Sequence, residues 1–276
     1  MIQLNAAPES VPVTDPKSVT EILQEPVSAT RLNTFHGCRL RFYFRYVQGI
    51  VKPTNLNLFT GRMVHLLLQN WSRQRWHQKP ATLSDLRDEF ENCWQQSLHE
   101  EPVEFRDSDE DAEKQKVLAL VEMYLNETPI PLGEKPMAVE VSVEADLSQH
   151  GLPTLRGVID LIRPGGHIVD FKTTSTSPQT DMVLHRNELQ LSCYGVLYRE
   201  STGTREKGFE LHHLVKTKTP KLVVTRHRGM SEQQQTRLFR SMESYVHGVE
   251  AEDWVPSPGL QCSGCEFFHE CRGGGQ

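Results

Sequence analysis

Asp160 interrupts the apolar run "GVIDLI", and Asp170 and Lys172 interrupt "HIVDFKTT", so two carboxylates and an ammonium occupy segments otherwise suited to the inside of a sheet. The linker between them, Pro164-Gly165-Gly166, suits a three-residue hairpin in which a glycine supplies positive φ. That register sets Asp160 opposite Asp170, with Cβ atoms about 4.5–5.5 Å apart. The two-residue strand period puts Lys172 on the same face as Asp170. Opposed carboxylates repel and lose hydration when half-buried, so a shared proton or a cation must offset them. Lys172 can neutralise one charge. A hard ion such as Mg²⁺ accepts one or two carboxylates while keeping waters and substrate phosphate oxygens. It lowers the pKa of a bound water and screens charge on a phosphoryl group, and Lys172 would orient that water or stabilise the crowded phosphorus. The plain alternative is a buried ion cluster without catalysis. The place of these charges, at the polar end of an apolar strand where ligands bind, weighs against it.

Two further motifs accompany the trio: "GRMVH" (61–65) on one helical segment and "QLSCY" (190–194) on another. Gln190 and Tyr194 are i and i+4 on one helix face. Taken together in this order, "GRMVH", "GVIDLI", "HIVDFKT" and "QLSCY" resemble the PD-(D/E)XK nucleases, specifically the RecB-like exonuclease branch, over roughly residues 28–272. The resemblance implies metal-dependent hydrolysis of DNA phosphodiesters, with Mg²⁺ or Mn²⁺ held by Asp160, Asp170 and His65. It further implies that Lys172 positions water and that Gln190 and Tyr194 orient the DNA strand. An acidic residue of the preceding strand often assists in this family. Glu140 and Glu144 both qualify by the two-residue period, and Glu140 is preferred. No proline precedes Asp160, a departure the family tolerates.

Six cysteines are unevenly spaced. "CSGCEFFHEC" gives C-x2-C-x5-C, a ligand set one short of four, and Cys38 in "FHGCRLRFYFRY" is the candidate fourth. Members of the RecB-like branch, among them AddB-type subunits and CRISPR-associated exonucleases, place one N-terminal and three C-terminal cysteines at this spacing around a [4Fe–4S] cluster. By that resemblance Cys38, Cys262, Cys265 and Cys271 form such a site. Zinc is the competing metal, although structural zinc sites more often use two short cysteine pairs. His269 is an alternative ligand that the spacing disfavours. Cys93 and Cys193 read as buried core thiols. A cluster would act as a staple, closing a loop of over 220 residues that is entropically costly to close.

These residues need a scaffold, and the pattern supplies one. The first half reads as helices: from Ser28 through "RLRFYFRYV", over 56–76, after the cap Thr82, and over "DAEKQKVLALVEMYLNE". From Pro136 strands appear in "MAVEVSVEADL", "LRGVIDLI", "HIVDFKTT", "GFELHHLVKT" and "KLVVTRHR", with helices at "RNELQLSCYGVLYRES" and after Ser231. The expected fold is α/β: a restriction-endonuclease-like mixed sheet flanked by helices, with an N-terminal helical region and an iron–sulfur C-terminal lid. Residues 1–27 read as a loose arm and 28–272 as one nuclease domain, divided into a helical region (28–130), a catalytic core (136–256) and a cysteine-bound lid (257–272). The Gly-, Pro- and Cys-rich tail reads as irregular.

The chain has 276 residues and a net charge of −6, which on its face argues against a nucleic-acid binder. The distribution changes that. Ser28–Pro53 and His212–Arg228 each hold five Lys or Arg and no acid, while Asp85–Glu113 holds twelve acids. The basic stretches could meet a polyanion, the Arg39–Tyr46 run through alternating guanidinium and aromatic groups. No apolar run approaches the roughly 18 residues that span a bilayer, and no leader pattern is visible, so a cytoplasmic protein with DNA as partner is expected. No helicase motif is present; a helicase or CRISPR-adaptation partner would supply any unwinding. The alternatives from other classes are a non-catalytic DNA-end-binding scaffold subunit and an iron–sulfur electron carrier, and the complete Asp160–Asp170–Lys172 set disfavours both.

Overall fold

The computed structural model describes residues 15–79, 81–105 and 108–273. In chain order the elements are α1 (Val19–Gln24), α2 (Ala29–Gly37), α3 (Arg39–Phe42) with a π-turn to Val47, β1 (Thr54–Asn55), α4 (Leu56–Trp76), α5 (Leu83–Glu100), β2 (Val103–Glu104) and α6 (Glu110–Glu127). There follow β3 (Ala138–Ala145), β4 (Leu155–Arg163), β5 (His167–Thr174), α7 (Thr180–Thr202), β6 (Gly208–Val215), β7 (Lys221–Arg228), α8 (Glu232–Glu250) and α9 (Phe268–Cys271). The chain groups into two compact units. One comprises the described residues of 53–146 and 155–238; the other comprises the described residues of 1–52, 147–154 and 239–276.

The larger unit is built on a five-stranded mixed sheet of order β3-β4-β5-β6-β7, in which β5 and β6 run parallel and the other neighbours antiparallel. This is the mixed α/β sheet flanked by helices that the pattern implied. The parallel pair exists because α7 carries the chain from β5 back to the start of β6, as a crossover must. On one face α4 and α6 close a core through Leu67, Trp71, Val121 and Tyr124 against Val169, Phe171 and Leu214. β6 is buried along its whole length. Its two polar residues on that face are therefore bonded. Glu210 meets Arg163 at 2.5 Å, His212 Nε2 lies 3.2 Å from Glu210, and His212 Nδ1 lies 2.9 Å from the Tyr124 hydroxyl. Arg163 also pairs with Glu134 at 2.7 Å.

The smaller unit corrects two expectations. The loose arm is outside the described residues only up to position 14; beyond it, α1 starts on a Ser18–Glu21 capping box, and Val27 is buried with its N–H donating to Thr154 O at 2.8 Å. The tail is not irregular throughout: a 3₁₀ turn spans Leu260–Gly264 before α9. The basic run of this unit is also engaged internally. Arg39 pairs with Asp253, Arg41 and Arg45 with Glu266, and Lys52 with Glu270. The aromatic residues between them pack inward, Phe42 edge-on to Phe35 at 5.3 Å and parallel to Trp254 at 6.0 Å. The run binds its own tail rather than offering free guanidinium groups. Among the described residues, no helix is long and apolar enough to cross a membrane.

Candidate active site

The hairpin forms as its linker dictates: Arg163 pairs with His167 across three loop residues, with Gly165 and Gly166 at φ +83 and +82. Pairing then runs back through Ile162–Ile168 to Leu161–Val169 and stops. The next rung would join Asp160 to Asp170. Instead the strands part, and Asp160 Oδ2 accepts the Phe171 N–H at 2.8 Å. β4 remains paired with β3 on either side, Leu161 to Val139 and Ile159 to Val141, and that ladder skips Glu140 and Asp160. Glu140, Asp160 and Asp170 therefore fall on one row across three strands, at a fork. Glu140 holds a left-handed backbone, φ +47, unusual for a non-glycine residue and frequent where a functional side chain is re-aimed. Glu144 lies further along β3 and pairs with Arg156 at 3.2 Å.

The remaining motif residues converge here. His65 Nδ1 on α4 lies 3.5 Å from Asp160 Oδ2. Lys172 Nζ lies 2.9 Å from Asp170 Oδ2 and donates to Gln190 Oε1 at 2.7 Å. Gln190 Nε2 donates to Asp170 Oδ1 at 3.0 Å and to the Tyr194 hydroxyl at 2.8 Å, and that hydroxyl lies 3.3 Å from the same Asp170 oxygen. Gln190 and Tyr194 thus face Asp170 and Lys172 rather than open cleft, and Tyr194 is buried. Two glycines permit the close approaches. A Cβ at Gly61 would stand 2.9 Å from Thr173 Oγ1, so the "GR" of "GRMVH" lets α4 touch the end of β5. A Cβ at Gly157 would stand 2.7 Å from Leu197 Cδ1, so α7 can lie close on β4.

Burial and mutual repulsion disfavour charge on the carboxylates of the fork. Asp170 is fully buried; burial first, then the charge of Asp160, push its carboxyl up, while Lys172 opposes them. Its Oδ2 makes no aligned hydrogen bond. Burial and the Asp160 charge likewise raise Glu140. Burial pushes His65 down, yet the hydrogen bond and charge of Asp160 outweigh it and hold the imidazole up. Among the described residues no group of three or more His, Cys, Asp or Glu side chains is placed so as to hold a metal ion, here or among the cysteines. A hard divalent ion needs none, because it accepts one or two carboxylates and keeps its waters. Asp160 and Asp170, set at a fork of the strands with Lys172 beside Asp170, are donors of that kind.

This site opens into a cleft of about 1160 Å³ lined by His65, Glu140 and Lys172. Sequence reasoning missed other wall residues: Asn57 and Arg62 on α4, Thr173 and Thr174 of β5, and Glu101. Arg62 and the two threonines lie inside the quoted motifs without a role of their own, and Lys216 carried a signal through its basic stretch. The four motif cysteines belong to the smaller unit. Cys38, Cys262, Cys265 and Cys271 line one small apolar cavity, while His269 does not. Cys38 can face it because its extended backbone breaks α2 from α3. The Ser257 N–H points to Cys38 Sγ at 3.5 Å and the Gly259 N–H to Cys262 Sγ at 3.4 Å. Cys193 is buried, which pushes its thiol up to about 12, whereas Cys93 is half-exposed and not the core thiol expected.

The chain matches the model of the PD-(D/E)XK nuclease superfamily over residues 26–272. Among solved structures, it resembles a protein of Eubacterium rectale described as a "putative exonuclease", with TM-score 0.57 and 13% identity over 89% of this chain and 88% of that one. This likeness concerns the fold alone. A second structure, SSO0001, aligns at TM-score 0.38 and 12% identity over 87% of this chain and 93% of that one, and nothing rests on it. No curated protein matches.

Proposed function

We propose that this chain, which belongs to the PD-(D/E)XK nuclease superfamily, is a Mg²⁺- or Mn²⁺-dependent DNA exonuclease of the RecB-like kind. The observation that carries the reading is the fork at which Asp160 leaves its rung while Asp170, Lys172, Gln190 and Tyr194 lock together. Asp160 and Asp170 are the residues that would hold the ion, with His65 and Glu140 beside Asp160. When bound, the ion would supply a water of lowered pKa and screening of charge on phosphorus.

The chain's own groups do the rest. Lys172 presents an ammonium whose direction is fixed by Asp170 and Gln190, so little reorganisation is needed as phosphoryl charge develops. Gln190 donates to one carboxylate oxygen and accepts from the lysine, which sets both rotamers. Tyr194 holds Gln190 from the next helical turn. Burial, and the charges of Asp170 and Asp160, keep its hydroxyl protonated, so it serves as a donor rather than a base. Roles in repair, recombination or CRISPR-type processing, with a helicase or adaptation partner, follow from the RecB-like resemblance. A scaffold subunit without activity is the competing reading, and the locked lysine speaks against it, since DNA-end binding needs no such arrangement.

The test is digestion of linear and covalently closed circular DNA, single- and double-stranded, with Mg²⁺ or Mn²⁺. Linear DNA should be degraded from its ends and circles should persist. Equal cutting of circles would make the enzyme an endonuclease, and no cutting of any DNA would favour the scaffold.

For the smaller unit, the [4Fe–4S] reading is supported by four thiols on one cavity and by backbone N–H groups aimed at two of the sulfurs, the donors that tune such clusters. Protein purified without oxygen should carry iron and acid-labile sulfide in equal, stoichiometric amounts. Zinc in their place would replace the cluster with a structural zinc site.

A further inference from the structure

The cations on the cleft wall are not equivalent. Lys172 is paired with Asp170, His65 with Asp160, and Arg62 with Glu101. Lys216 lines the same cleft, half-buried, and among the described residues no carboxylate lies within ion-pair reach of its ammonium. Its one hydrogen bond is to a neutral acceptor, Asn57 Oδ1 on the first turn of α4, at 3.1 Å. An ammonium has three donors and no acceptor, so this one is under-bonded where water is partly excluded. On α6, Glu113 attracts this ammonium from beyond ion-pair distance, and Lys116, bonded to Glu113 at 2.6 Å, opposes it.

Position 216 is also rigid. Its N–H donates to Thr174 O at 2.7 Å, which extends the β5–β6 ladder one rung past Val215. Lys172 stands beside His213 in that ladder, so Lys216 lies three residues further along, about 10 Å at the strand rise. The two lysines therefore join the cleft wall at different points along the strand direction.

We propose that Lys216, held by Asn57 and the sheet, anchors a non-scissile phosphate of the nucleic-acid strand lying in this cleft. The inference rests on the nuclease reading above and deepens it, because it makes Lys216 a positioning residue for the strand and leaves the reacting centre to Lys172. Such a residue contributes to binding by phosphate neutralisation, which is independent of base sequence and sensitive to salt.

The experiment measures binding of a fluorescein-labelled oligothymidylate by anisotropy, in Ca²⁺ buffers of increasing salt, for wild type, Lys216→Met, Lys216→Arg and Lys218→Met. Lys218 is an exposed neighbour outside the cleft. Lys216→Met should weaken binding about fivefold at low salt and make the slope of log K against log salt shallower by about 0.7. Lys216→Arg should restore most of both, and Lys218→Met should change neither. Steady-state digestion with Mn²⁺ should show the loss in KM, with kcat within about twofold of wild type. An unchanged slope in Lys216→Met, or the same change in Lys218→Met, overturns the inference while digestion by wild type leaves the nuclease reading standing. If wild type neither binds nor digests DNA, both fall together.

Discussion

Replacing Lys172 by alanine is expected to lower the rate of DNA digestion by about a thousandfold while the protein remains folded and still binds DNA. Two losses act in the same direction. The substitution removes the ammonium that Asp170 and Gln190 hold in place. It also leaves Asp170 buried without its cation, and burial already pushes that carboxyl up. A carboxyl driven further toward its protonated form is a poorer ligand for a divalent ion. Arginine should not rescue, because a planar fork cannot occupy the place of a compact ammonium between one carboxylate oxygen and one amide oxygen. Initial rates on end-labelled DNA, with circular dichroism and anisotropy as controls for folding and binding, check this. A rate within tenfold of wild type would remove Lys172 from the reaction.

Glu210→Gln should destabilise the larger unit by about 3 kcal/mol at neutral pH. Glu210 is 4% exposed and lies between Arg163 and His212, with Arg226 at 3.5 Å. Burial pushes its carboxyl up, but the His212 hydrogen bond and the charges of Arg163 and Arg226 outweigh it and hold the group at about 2. His212 is itself pushed down by burial. A neutral ring that donates from Nε2 to Glu210 and accepts the Tyr124 hydroxyl proton at Nδ1 accounts for both contacts. The linkage has a definite sign. A carboxyl at 4.5 unfolded and about 2 folded contributes stability above 4.5 that is lost as pH falls from 4.5 toward 2. The displacement corresponds to roughly 3 kcal/mol. Urea unfolding of wild type should weaken across that window, and Glu210→Gln should flatten the dependence. A variant as stable as wild type at pH 7, with the same acid limb, would show that the network contributes nothing.

The candidate site residues, and the elements that carry them, were legible because each obeys a short-range rule. The linker Pro164-Gly165-Gly166 fixed the hairpin, and the two-residue period placed Asp170 and Lys172 together. Periodicity marked α4 at its observed limits, Leu56 to Trp76. What sequence could not supply was non-local. The parting of β4 and β5 at Asp160 is recorded by no local pattern. The left-handed backbone of Glu140 is likewise invisible, since the residue is not glycine. The run Arg39–Arg45 looked available to phosphate because its partners, Asp253 and Glu266, lie more than 200 positions away. The basic stretch beyond β6 hid the opposite case, one lysine inside the cleft and without a carboxylate. Gln190 and Tyr194 were placed on one helix face correctly. That the face turns toward Asp170 rather than toward open cleft is a matter of how α7 lies on the sheet.

The central claim is that the carboxylates at the fork, with Lys172, perform phosphodiester hydrolysis that needs a divalent ion. It is tested most directly by incubating end-labelled linear DNA with the wild-type protein in Mg²⁺ or Mn²⁺, with and without a chelator, beside Asp170→Asn. The account predicts release of short labelled products by wild type, none with the chelator, and none from a folded Asp170→Asn. Undiminished digestion by Asp170→Asn, or by wild type in the presence of the chelator, would contradict it.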